Sequence, residues 1–153
     1  MEHVNLSYKG FTITTDKSLM KVNDIHYWLS TEAYWCKEIP FETVSRAFEN
    51  SFCIGAISDE RQIAYARLIT DYATFAYLAD VFVTEPYRGS GISKKMMEIL
   101  MDQDWVKSLR CIRLATIGTH WLYRKFGFTD CAHPERIMEI VRSDVYKKPI
   151  DQP

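Results

Sequence analysis

Between Ser18 and Trp35 the apolar residues Leu19, Val22, Ile25, Trp28 and Leu29 recur at helical spacing, with Lys21 and Asp24 between them. That periodicity predicts a first helix. Pro40 stands where the first residue of a helix tolerates it, and Phe41, Val44, Ala47 and Phe48 follow at three- and four-residue steps until "ENS" closes the pattern. A second helix is expected there. The period then shortens. "FCIGAI", "QIAYARLIT" and "ATFAYLADVFV" are rich in β-branched and aromatic residues, and short polar breaks at "SDER" and at Asp71–Tyr72 separate them. Such runs predict three strands, joined closely enough to form an antiparallel meander.

Beyond Val83 the pattern turns helical again, with Ile92, Met96, Met97 and Leu100 on one face and Lys94, Lys95, Glu98 and Asp102 on the rest. This third helix is expected to lay one side on the sheet. "CIRLAT" reads as a short strand, "THWLYRKF" as a short helix closed by Gly127, and "RIMEIV" as a last strand before the polar tail "KKPIDQP". Neither a repeat nor a linker interrupts the order, so one domain over residues 1–153 is expected. Its class is α/β or α+β, with a mixed, mostly antiparallel sheet flanked by helices.

Composition narrows the functions open to such a domain. With 47% hydrophobic and 25% charged residues, the chain can bury a real core. Nineteen basic against twenty acidic residues give a formal charge of −1. No global field draws it to nucleic acid or to an anionic membrane, so any anion must be caught locally. Cys36, Cys53, Cys111 and Cys131 are widely spaced, without a C-x-x-C pair or a histidine at zinc-finger spacing. Reduced thiols, without a metal or disulfide framework, are the expectation. The start, "MEHVNLSYKG", has no apolar leader core, and the expected compartment is the cytoplasm.

The local anion trap is the stretch "DVFVTEPYRGSGISKK", a strand that ends in an arginine- and glycine-bearing loop opening directly into a helix. A P-loop frame, G-x-x-x-x-G-K-[ST], cannot be drawn through it. The dinucleotide fingerprint G-x-G-x-x-G fits Gly89 and Gly91 but meets Lys94 where the third glycine belongs, and the preceding meander is not a βαβ unit. R-x-x-G-x-[GA] fits better, through Arg88, Gly91 and Ser93. A helix N-terminus offers unpaired backbone N–H groups and the positive end of a dipole, and glycines let the main chain approach a diphosphate closely.

With this loop, its preceding strand and "LYRKFGF" from Leu122 to Phe128, the chain resembles the GNAT superfamily of N-acetyltransferases from Phe52 to Val141. The resemblance implies a central sheet with a splayed strand pair and acetyl-CoA as the acetyl donor. Its diphosphate would lie on Arg88, Gly89, Ser90, Gly91, Ile92 and Ser93, and its arm along the main chain of Val81, Phe82 and Val83 beside the diverging "CIRLAT". Two positions depart from the family pattern: Ser93, where Gly or Ala is preferred, and Ala79, where several members carry an acid.

The same resemblance implies direct attack by an acceptor amine on the thioester, with Tyr123 protonating the leaving thiolate; the other reading of Tyr123 is a packed core aromatic. Asp80 interrupts an apolar strand, which is costly unless its carboxylate is paired or faces a wet cleft. It would serve a cationic substrate or a proton relay, or else form an ion pair with a lysine or arginine. His120, one helical turn before Tyr123, shares its face and is either a base or a satisfied structural group. Trp28, Tyr34, Trp35, Tyr72 and Tyr77 are the candidate acceptor contacts, suited to amines through cation–π attraction or stacking, although aromatics at such spacing are also core formers. The leading reading is acetylation of a small-molecule primary amine. A non-catalytic acyl-CoA sensor and a protein N-acetyltransferase are the alternatives, and the resemblance implies a homodimer.

Overall fold

The structure, a computed structural model, describes residues 1–147, and the last six residues of the expected polar tail lie outside that range. Its centre is one six-stranded sheet in which spatial order follows chain order. Strands β1 (Asn5–Tyr8) and β2 (Phe11–Thr14) form a hairpin that the periodicity did not predict. They are four residues each, an alternation of Leu6, Tyr8, Phe11 and Ile13 with polar residues too short to stand out as a run, and their turn is Lys9–Gly10 with both residues at positive φ, the demand of a tight hairpin that Asn-Gly meets more commonly. β3 (Phe52–Ser58), β4 (Arg61–Thr70) and β5 (Phe75–Val83) make the expected antiparallel meander. β6 (Cys111–Leu114) joins β5 in parallel, the one parallel pair among the described residues.

Helix α1 is confined to Val22–Thr31, shorter at both ends than the periodicity predicted. Before it, Lys17–Leu19 forms a 3-10 turn that Asp16 caps by accepting from the Ser18 N–H, and Trp35 falls in the turns after it. α2 spans Phe41–Glu49, with Pro40 as its N-cap rather than its first residue. These two helices cover one face of the sheet, where Ile25, Leu29 and Val44 meet Tyr65 and Phe82. The other face carries α3 (Ile92–Asp102), the single turn α4 (Asp104–Lys107) and α5 (His120–Arg124). Ile92, Met96, Met97 and Leu100 of α3 press on Ile54, Ala66, Ala76 and Leu78, as the apolar stripe requires. Because both faces are covered, β3 is buried without alternation from Phe52 to Ala56.

The expected last strand at Arg136–Val141 is not one. Pro134–Arg136 forms a 3-10 turn, and Met138 and Ile140 stand 95% and 80% exposed. Strand-forming residues become a strand when an edge pairs with them, and β6 pairs with β5 alone. No described helix is long and apolar enough to cross a membrane.

Candidate active site

Two features of β5 build the site. Its pairing with β6 stops at Leu78 and Leu114, so Ala79 to Val83 face an opening where the sheet has splayed apart. Within that free stretch the register with β4 slips: Arg67 sits opposite Ala79 and Tyr65 opposite Phe82, leaving Asp80 and Val81 without partners of their own. Asp80 takes φ +56°, a bulge conformation. The bulge inverts the strand's alternation. Ala76 and Leu78 face α3 before it, whereas after it Val81 and Val83 face α3 and Phe82 turns toward α1.

At the end of β5 the glycine loop is shaped as the sequence suggested. Gly89 and Gly91 take φ +77° and +85°, and Gly91 is the N-cap of the eleven-residue α3. Among the described residues nothing accepts a hydrogen bond from the amides of residues 89–94, while the Lys95 N–H reaches the Gly91 carbonyl and starts the helix ladder. A diphosphate is the kind of group this donor set fits. Arg88 donates from Nε to the Val83 carbonyl at 3.0 Å, tying the loop back onto the strand. Two neighbours went unrecognised in the sequence because they lie on the β1–β2 hairpin. Lys9 Nζ donates to the Ser90 carbonyl at 2.8 Å, and the Tyr8 hydroxyl would lie 2.9 Å from a Cβ at Gly91.

On the α1–α2 side of the bulge lies a cavity of about 210 Å³, walled by Trp35, Cys36, Tyr65, Arg67, Asp80 and Tyr146 together with apolar residues of both helices. Asp80 is both paired and on the cavity wall. Its Oδ2 accepts from Arg67 Nε at 2.5 Å and its Oδ1 from Trp35 Nε1 at 3.2 Å, with side chains 12% and 16% exposed for Asp80 and Arg67. Burial works against the guanidinium's charge, but the adjacent carboxylate outweighs it and raises the Arg67 pKa. Burial pushes the Cys36 thiol up to about 12, so it is a neutral wall rather than a nucleophile.

The other candidates are scattered more widely. Tyr123 is buried beneath the opposite face of the sheet, edge-on to Phe128 at 6.0 Å, and desolvation raises its pKa. His120 is exposed at the start of α5, so the shared helical face does not become a shared pocket. Trp28 stacks on Phe82 at 4.1 Å and tilts toward Trp35, behind the cavity wall, while Tyr34 lies exposed and edge-on to Trp35. Tyr72 and Tyr77 do not line the cavity; Tyr72 closes the β4–β5 hairpin at the far end and packs on Trp105. Arg67 was missed, although it carries the signal that marked Asp80: a charge inside an apolar strand. Among the described residues no group of acidic, histidine and cysteine side chains could hold a metal ion.

A family model described as the acetyltransferase (GNAT) family matches residues 22–128. A candidate acetyltransferase of the GNAT family from Xanthomonas campestris pv. campestris, solved as a crystal structure, is 42% identical, with TM-score 0.87 over 93% of this chain and 100% of that one. A candidate acetyltransferase of Gibberella zeae is 27% identical over 147 residues, 82% of this chain and 83% of the fungal one. The fold is also shared with a predicted acetyltransferase from Clostridium acetobutylicum solved with acetyl-CoA, at TM-score 0.60 and 16% identity over 86% and 94% of the two chains.

Proposed function

Since the chain belongs to the GNAT family of acetyltransferases, we propose that it transfers the acetyl group of acetyl-CoA to a primary amine of a small molecule, by direct attack in a ternary complex. The observation that carries this reading is the cavity at the β5 bulge, which is small and aromatic-walled and has a buried carboxylate at the point where the strand loses its neighbour.

The amides of residues 89–94 would hold the diphosphate, each such contact at a helix end contributing about 0.3 to 1 kcal/mol when exposed and up to ~2 when partly buried. The main chain of Val81 to Val83, released from β6, would bind the arm of the coenzyme. When bound, acetyl-CoA supplies an acetyl group already activated as a thioester. The Val81 N–H, in the stretch where the register with β4 shifts, would donate to the carbonyl oxygen as its charge develops. Asp80 Oδ1 would receive the acceptor's ammonium group and relieve it of a proton. Tyr123, kept protonated by burial, would hold the proton that the leaving sulfur needs. Proton transfer of this kind contributes ~10² to 10⁴-fold, whereas holding two reactants in line supplies about 7 to 11 kcal/mol. Positioning therefore dominates, and a main-chain scaffold can supply it.

A thiol-release assay over a panel of primary amines tests the reading. CoA released with at least one small amine is the expected result. Tight acetyl-CoA binding without release by any amine would instead make the protein a sensor of acyl-CoA, and release only with protein acceptors would move the activity to proteins.

A further inference from the structure

We infer that the acceptor bears a carboxylate beside its amine, an amino acid or a close analogue, and that Arg67 is the residue that selects it; the inference rests on the reading of the cavity as the acceptor site. A guanidinium carries five N–H donors arranged as a fork. Arg67 spends Nε on Asp80 and one Nη1 hydrogen on Ser51 Oγ at 3.0 Å. No described residue accepts from its Nη2, nor is that nitrogen among the fully enclosed side-chain atoms left without partners. Those free donors belong to a side chain that lines the cavity.

Stability alone does not account for this arrangement. A buried ion pair roughly breaks even against apolar side chains of the same volume, so the pair is not explained by what it adds to stability. A carboxylate arriving on the Nη1–Nη2 edge would complete the fork in the geometry that arginine matches better than any other side chain. The two fixed charges then lie side by side, the Asp80 carboxylate for the ammonium and the Arg67 guanidinium for the carboxylate, as a zwitterion requires. Cys36 and Tyr65, which also face the pair, are held neutral by burial. A dianionic phosphate would bring surplus negative charge next to Asp80, so the single charge of a carboxylate fits better. The cavity is small, about 210 Å³, and apolar residues such as Leu29, Ile39 and Val44 leave a greasy wall for a modest side chain.

Matched pairs test this on the unmodified protein: an amino acid against the amine it becomes on losing its carboxyl group, and against its amide, with small, branched and aromatic side chains. The best pair is expected to show kcat/KM at least tenfold higher for the carboxylate-bearing member, mostly through KM. Calorimetry should show the N-acetyl amino acid product binding more tightly than the matching N-alkylacetamide. In Arg67→Lys, which keeps the charge but not the fork, the preference should shrink toward one. If that variant fails to fold, judged by its melting curve, the comparison of matched ligands on the unmodified protein decides the matter. Amines that react as well as or better than their amino acids in every pair would overturn the inference while leaving acetyl transfer standing. Failure of every amine to release CoA would overturn both.

Discussion

Gly91→Ala tests the cradle directly. At φ +85° an added Cβ costs about 1 to 2 kcal/mol in the left-handed region, and it would also meet the Tyr8 hydroxyl at 2.9 Å. That hydroxyl is the end of a flexible side chain and can withdraw, so backbone strain is the larger part. For a chain of 153 residues the melting temperature should fall by roughly 2 to 8 °C. If the loop instead rotates to escape the strain, one or two amides leave the diphosphate, each loss worth about 1 to 2 kcal/mol at a partly buried helix end. CoA affinity then falls by roughly fivefold to several hundredfold. Melting curves with and without coenzyme separate these contributions, because a ligand at a hundred times its Kd adds about 2.7 kcal/mol to the stability of the protein that binds it. The variant should lose part of that protection at a coenzyme concentration that protects the parent fully. Tyr8→Phe combined with Gly91→Ala relieves the contact but not the strain, and should recover little. A variant that melts with the parent, its loop having rotated out of the strain, yet binds coenzyme as tightly would show that the diphosphate lies elsewhere.

Tyr123→Phe should lower kcat by ~10² to 10⁴-fold with measurable turnover remaining, and the parent should show no alkaline loss from this group below about pH 10 because burial raises its pKa; unchanged turnover at every pH would remove Tyr123 from the chemistry. Burial raises the pKa values of Cys36, Cys53, Tyr65 and Tyr123 alike, so their contribution to stability is complete below the unfolded thiol range and declines as pH climbs through the folded values. Urea midpoints should accordingly fall between about pH 8 and pH 10.5, and a midpoint that rises over this range would contradict the burial. Iodoacetamide followed by mass spectrometry should modify exposed Cys131 in the native protein and reach Cys36 and Cys53 only after unfolding; early labelling of Cys36 would mean that the cavity wall opens.

The parts of the site legible in the sequence are those whose physics is local. Arg88, Gly89 and Gly91 stand between a strand pattern and a helix pattern, and the positive φ of both glycines is a demand that neighbouring residues impose. The side of the sheet that each aromatic occupies was not legible. Tyr72 and Tyr77 are close to Asp80 along the chain, yet a hairpin end and a strand face separate them from the cavity. Arg67 was within reach, since β4 and β5 form a hairpin whose symmetry brings it opposite Ala79, beside the one acid in β5.

From its residues alone, this chain commits to three helices with apolar stripes, a strand-rich middle, and a loop able to hold a diphosphate, because periodicity and backbone conformation depend on neighbours a few positions away. Tertiary structure decided the rest. The bulge at Asp80, the pairing with Arg67, the placement of Tyr8 and Lys9 against the loop and the exposed course of Arg136–Val141 all depend on which strands pair and in what register. A one-residue slip in register turns every later side chain to the opposite face, and no local pattern records it.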